Sequence, residues 1–252
     1  ITRMKMNLVV DIGNTLIKVA VVEDADVLLS QAFASVDELS LVALKEQYPE
    51  LQHAIVASTG EDTLRVAEML RSEGLQVLEM TSLTPTPIGN DYLTPATLGV
   101  DRLAAAVAAV EVMGCRDCLI VDFGTAITID LVENGTFRGG NISPGMTTRF
   151  RALHDYTRRL PECSPTEQIL EVGRTTHQAI EQGVMQGIVN EIEGYITGFM
   201  QSNAKLSLIF TGGDAKYFVK RIKNAKFAKC DLVFCGLNRI LEYNASIEDE
   251  RF

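Results

Sequence analysis

Three short stretches put acids, glycines and small hydroxyl or amide side chains at the ends of apolar runs. In "VVDIGNTLIKVAVVE" (9–23), Asp11, Gly13, Asn14, Thr15 and Lys18 interrupt two runs of β-formers. A glycine at a strand turn lets a ligand approach the main chain. The N–H groups there, with Asn14 and Thr15, can donate to phosphate oxygens. Asp11 suits Mg2+, which is usually held through one or two carboxylates with substrate phosphates completing its shell. A single copy reads equally as a Gly-Asn hairpin turn with Asp11 as a local acceptor. The device recurs in "IVDFGTAITIDLVENG" (120–135) as Asp122, Gly124, Thr125 and Thr128, so two glycine turns could clamp one polyphosphate. "TGGDA" (211–215) adds a third turn, where Gly212 and Gly213 would let a flat group such as a nucleobase and its sugar lie against main chain. Alone, that Gly-Gly pair reads as a turn.

The elements that must carry these turns alternate. A capping-box pattern, Ser35 with Glu38, opens a helix expected over 35–48. A strand over 53–59, a helix over 61–73 and a strand over 75–81 follow, and then a proline-rich loop over 82–99. The alanine-rich stretch 100–113 reads as a helix leading into strands from 118. Asn134-Gly135 signals a hairpin, because both residues tolerate the positive φ of a type I′ turn. A long helix is expected through about residue 200, with four glycines that suggest close backbone packing, then a strand over 206–211 and an amphipathic segment after it. Two matching halves imply two α/β domains, 1–115 and 116–252, facing each other across a central cleft.

Composition narrows the class. A chain of 252 residues can bury a core without staples. Net charge −10 with a pI near 4.9 argues against a phosphate-backbone footprint, so nucleic acid is not an expected partner. Apolar runs are strand-sized, far short of the roughly 20 residues a bilayer needs, so no membrane is expected either. Nothing reads as a signal peptide, and the opening Ile-Thr-Arg reads as a processing remnant outside the fold. Five cysteines, an odd number, fit reduced thiols in a cytoplasmic protein. Cys115 and Cys118 have the spacing of half a zinc site without a second half. Walker and Rossmann glycine patterns are both absent.

"DIGNT", "DFGTA" and "TGGDA" resemble, in order, the first phosphate, second phosphate and adenosine motifs of the acetate kinase, sugar kinase, Hsp70 and actin superfamily. Within it, "MNLVVDIGNTLIK", "LGVDRLAAAVAA", "VDFGTAITIDLVENGTFRGGNISPG", "TTHQAIEQG" and "TGGDA" resemble a type III pantothenate kinase from about residue 6 to 240. The resemblance implies two ribonuclease H-like (actin-like ATPase) domains around an interdomain cleft. It implies transfer of the ATP γ-phosphoryl group to the primary hydroxyl of pantothenate, the first step of coenzyme A synthesis. Asp11, Ile12, Gly13, Asn14, Thr15, Leu16, Ile17, Lys18, Gly124, Thr125, Gly212 and Gly213 would then touch nucleotide, with Asp11 on Mg2+ and Asp122 on a monovalent cation, K+ or NH4+.

Such a kinase needs a base for the acceptor hydroxyl and a counter-charge for pantothenate's carboxylate. "GVDR" (99–102) offers both. In isolation Asp101 is an ordinary acid at a helix start and Arg102 a surface cation. With the resemblance, Asp101 becomes the proton acceptor, and Gly99, Val100, Asp101 and Arg102 the substrate segment. Tyr92 matches a substrate-contacting tyrosine. Thr176 matches a substrate-contacting threonine that a homodimer would bring to the neighbouring subunit's pocket, although a helix N-cap is its bland alternative. A kinase of the superfamily acting on a sugar or other small alcohol, and a non-catalytic nucleotide-binding regulator, remain alternatives. The Arg-rich stretch 149–159 reads as a solvated helical face.

Overall fold

The computed structural model describes residues 6–13, 16–35, 41–58, 63–203, 205–222, 225–227 and 232–249. They pack as two compact units. The first holds the described residues through Arg116, the three residues Gly135–Phe137 and the C-terminal helix; the second holds Asp117–Asn134 and the described residues from Arg138 to Phe227.

In the first unit, β1 (Asn7–Ile12), β2 (Ile17–Glu23) and β3 (Asp26–Phe33) form an antiparallel meander. After α1 (Leu41–Gln47), β4 (His53–Ser58) returns parallel to β1, and after α2 (Thr63–Ser72), β5 (Gln76–Glu79) lies parallel to β4. The expected capping residue Glu38 lies outside the described residues. The strand order is β3-β2-β1-β4-β5. β1 is apolar almost throughout because both its faces are covered. Leu8, Val10 and Ile12 meet Leu41 and Leu44 of α1 and Val66 and Leu70 of α2. The proline-rich stretch contains a two-residue strand, β6 (Gly89–Asn90), and a short 3-10 turn, Pro95–Thr97. Helix α3 (Val100–Val107) runs regularly and then widens into a π-type turn, Ala108–Val112, before the chain leaves the unit.

The second unit repeats the plan. β7 (Cys118–Phe123), β8 (Ala126–Glu133) and β9 (Thr136–Pro144) form the second meander. Asn134 and Gly135 turn β8 into β9 with φ values of 52° and 73°, as the hairpin signal requires. Helices α4 (Met146–Asp155) and α5 (Thr176–Ser202) follow, then β10 (Ser207–Thr211), the single turn α6 (Ala215–Phe218) and β11 (Ala225–Phe227). β10 lies parallel to β7 and β11 parallel to β10, so β11-β10-β7-β8-β9 reproduces the first sheet's order. The registers also match: Asp11 pairs with Lys18 across β1 and β2, and Asp122 with Thr128 across β7 and β8. Phe123 stacks on Phe218 at 4.8 Å and meets Phe210 edge-on at 5.2 Å, centring a core that α5 closes with Ile180, Val184, Ile188 and Ile192. The four α5 glycines, Gly183, Gly187, Gly194 and Gly198, do not pack against backbone of other described elements. Nothing described lies within 4 Å of where their Cβ atoms would stand, since other residues of the helix face the core.

The last helix, α7 (Leu232–Asp249), packs with the first unit, so the packed units differ from the halves 1–115 and 116–252 expected from the repeat. Two contacts account for this. Gly236 lies so close to Ala104 of α3 that a Cβ there would run into its carbonyl. Asn238, fully buried, accepts from Asn7 Nδ2 at 2.7 Å and donates to the Asp24 carbonyl at 2.9 Å, tying α7 to β1 and to the β2–β3 turn. Asn7 alternates with Leu8 along β1, so α7 covers the sheet face opposite α1 and α2. No helix among the described residues is long and apolar enough to cross a membrane, and none of the four described cysteines is in a disulfide.

Gly236→Ala is expected to destabilise the protein by about 1–3 kcal/mol through overpacking at this crossing. Denaturant unfolding measures it, and an unchanged midpoint would contradict the contact.

Candidate functional site

The first glycine turn follows directly from the β1–β2 pairing. Asp11 is half-buried at the penultimate position of β1, and the Gly13 N–H donates to the Leu16 carbonyl at 3.1 Å to close the turn. Asn14 and Thr15, the expected phosphate donors, lie outside the described residues. Ile12 and Ile17 point into the core, so only their main chain is available to a ligand, whereas Gly13, Leu16 and Lys18 are exposed.

The second turn is built by main chain packing on main chain. β7 ends at Phe123, and Gly124 and Thr125 bend the chain into β8. Gly145, at the start of α4, donates its N–H to the Thr125 carbonyl at 3.0 Å, and Thr148 Oγ1 donates to the same oxygen at 2.7 Å. A Cβ on Gly145 would overlap the carbonyls of both Gly124 and Thr125. From the other side, β10 is in register with β7, Thr211 opposite Asp122, so "TGGDA" emerges beside "DFGTA". Gly212 has φ +94°, and a side chain there would overlap Asp122 Oδ1 and the Phe123 backbone. The Asp214 N–H donates to the Phe123 carbonyl at 3.1 Å. Gly213 is exposed with open space before it. Asp122 is half-buried beside Gly124 and Gly212, and its carboxylate supplies hard oxygen donors. That chemistry fits an alkali or alkaline-earth cation and not a soft metal. Among the described residues no group of three His, Cys, Asp or Glu side chains could hold a metal, so any cation here must draw ligands from elsewhere, such as phosphate.

The segment expected to contact the acceptor sits at the start of α3. Gly99 precedes the helix, and a Cβ on it would overlap the Asp101 carboxylate. Asp101 Oδ1 accepts the Arg102 N–H at 2.9 Å, which holds that side chain at the first turn. The Val100 side chain is core. Arg102 is not the surface cation it resembles in isolation: only 6% of it is exposed, and its guanidinium carbon lies 5.7 Å from the ring centroids of both Tyr92 and Phe137. The first unit therefore brings Tyr92, Gly99, Asp101 and Arg102 together, and the second brings together Asp122, Gly124, Thr125 and Gly212. Thr176 opens α5 and is exposed, while the N-cap is Thr175, whose hydroxyl accepts the Gln178 N–H at 3.2 Å.

Sequence reasoning missed Gly145, Thr148, Phe137 and Arg149. Gly145 carried a signal, a Pro-Gly pair before a helical stretch, but no local pattern names its partner. Arg149 departs from the solvated face expected of 149–159: it donates to the Pro144 carbonyl at 2.7 Å and pairs with Glu191 of α5, bracing the segment that holds Gly145.

A family model described as type III pantothenate kinase matches residues 7–198. A type III pantothenate kinase of Phocaeicola vulgatus is 39% identical over 244 residues, 95% of this chain and 99% of that protein. One from Bacteroides fragilis is 42% identical over 241 residues, covering 95% and 98%. Among solved structures, a Campylobacter jejuni protein described as a Baf family transcriptional activator matches with TM-score 0.65 at 23% identity, covering 95% of this chain and 99% of that one. The activator of 2-hydroxyisocaproyl-CoA dehydratase from Clostridium difficile, with bound ADPNP, matches with TM-score 0.53 at 12% identity, covering 98% of both. These two show the fold alone, and the two sheets are those of the actin-like ATPase fold.

Burial holds the Asp214 carboxyl above its ordinary value of 3.8, against an opposing pull from Lys216. A carboxyl raised in the folded state favours folding fully below 3.8, and that contribution is lost as pH rises through the folded value. Asp214→Asn should therefore melt above the wild type at neutral pH, with the difference closing as pH falls toward 3.8. Melting curves across pH test this, and a difference independent of pH would contradict it.

Proposed function

The chain belongs to the type III pantothenate kinase family, and on that premise we propose how its residues divide the reaction, ATP-dependent phosphorylation of pantothenate in coenzyme A biosynthesis. The observation that carries the assignment is the pairing at the start of α3 of an acid, Asp101, with a buried arginine, Arg102.

Asp101 takes the proton of the acceptor hydroxyl. Its Oδ1 is oriented by the Arg102 N–H, and a carboxylate with two oxygens keeps acceptor capacity for a substrate hydroxyl. Arg102 binds the pantothenate carboxylate, with Tyr92, Gly99 and the Val100 main chain beside it. In-line phosphoryl transfer asks for positioning and charge stabilisation more than covalent chemistry. The Gly13 turn, with Asp11 through Lys18, and the Gly124–Thr125 turn donate to the nucleotide phosphates, and Gly212 and Gly213 receive the adenosine. Asp11 would hold Mg2+, and Asp122, through its carboxylate, K+ or NH4+; when bound, these ions neutralise phosphate charge. The protein works as a cytoplasmic homodimer in this reading. The open glycine face of α5 would accept a second copy closely, and the exposed Thr176 would serve the partner's substrate site.

With ATP, Mg2+, K+ and pantothenate, Asp101→Asn should lower kcat by about 100-fold or more, with the KM for pantothenate little changed. Equal turnover in the two proteins would overturn the assigned base. Omitting K+ should depress the wild type as well, and an acceptor screen favouring a sugar would overturn the substrate.

A further inference from the structure

We propose that Phe137 is the positioning residue for Arg102, and through it sets how tightly the enzyme holds the pantothenate carboxylate. The proposal rests on Arg102 being the carboxylate ligand. Phe137 is fully buried at the second position of β9, and it belongs by packing with the first unit rather than with the strand's continuation. Its ring and that of Tyr92 lie 6.1 Å apart, tilted by 49°, and the Arg102 guanidinium carbon is 5.7 Å from each centroid. A guanidinium within about 6 Å of an aromatic face is attracted by the ring's negative π cloud, and more strongly when water is excluded. At 6% exposure Arg102 meets that condition. Two faces converging on one flat cation also restrict its rotamers, so less freedom is lost when its N–H groups fork onto a carboxylate.

Phe137 acts on the other side of the pair as well. β6 pairs in parallel with Thr136 and Phe137, the Gly89 N–H donates to the Gly135 carbonyl at 3.3 Å, and the Asp91 N–H donates to the Phe137 carbonyl at 2.9 Å. The Tyr92 N–H then donates to Asn90 Oδ1 at 3.0 Å. A Cβ on Gly89 would overlap the Thr136 side chain, so this pairing admits no larger residue without adjustment. One aromatic residue therefore supports Arg102 with its ring and anchors the backbone next to Tyr92 with its carbonyl. An ordinary core phenylalanine would instead support the fold as a whole.

The two roles separate kinetically. Phe137→Leu keeps an apolar side chain and the backbone bonds but removes the π face. It should raise the KM for pantothenate roughly tenfold, leave the KM for ATP within about twofold and change kcat little. Phe137→Tyr keeps the ring and should restore the pantothenate KM toward wild type. Should the leucine variant lose cooperative melting, Phe137→Met, which also fills the space without a ring, carries the same expectation. In an Arg102→Ala background the Phe137→Leu effect on pantothenate KM should largely vanish, since the ring acts through the guanidinium. A pantothenate KM unchanged in folded Leu or Met variants, or one that rises in parallel with the ATP KM, overturns the role of Phe137 and leaves pantothenate as substrate standing. No turnover of pantothenate by the wild type overturns both.

Discussion

Main chain lying directly on main chain is the constraint from which the glycine-turn region of the second unit follows. Gly145 and Gly212 approach the Asp122–Thr125 turn from two sides, and neither position has room for a Cβ. The absence of side chains lets the Gly145 and Asp214 N–H groups reach the Thr125 and Phe123 carbonyls, so the turn is fixed by hydrogen bonds to backbone. Preorganised backbone dipoles stabilise charge without having to reorganise during reaction. The parallel pairing of β10 with β7 makes the arrangement possible, because it ends both strands at the same level.

The first unit solves a different problem, that of keeping a permanent cation in a dry place. Arg102 is buried, and its guanidinium sits against two aromatic faces. Burying a charge without compensation is costly, and aromatic faces offset part of that cost while keeping the guanidinium flat. The adjacent Asp101 is only half-buried, so consecutive residues on one helical turn meet opposite environments. Helix α7 supports the segment from behind, since Gly236 lets it lie against Ala104 without a spacer. The residues at the start of α3 thus depend on packing contributed by a helix far away in sequence.

Several parts of this were legible beforehand. The repeat of "DIGNT" in "DFGTA" announced two sheets of one plan, and the matched registers of Asp11 and Asp122 bear that out. The Asn134-Gly135 hairpin and the helix start at Val100 were equally readable, because turn and helix signals act over a few residues. Burial of Arg102 was not legible, since a charged side chain at a helix start suggests a surface cation and its covering rings come from Tyr92 and Phe137. The α5 glycines pointed to close packing, but among the described residues nothing meets them, because periodicity reveals a small-residue stripe and not which partner it meets.

Local chemistry was therefore determined by the sequence itself: which residues can turn, which carry carboxylate, amide or hydroxyl groups at those turns, and in what order along the chain. Only the tertiary structure decided which distant groups meet. It placed Gly145 on Thr125, Gly212 on Asp122 and Phe137 on Arg102, and it returned α7 to the first unit. The reason is physical: a strand turn is specified by the φ and ψ preferences of adjacent residues, whereas a contact between remote residues is set by sheet register and by the volume that each side chain, or its absence, leaves open.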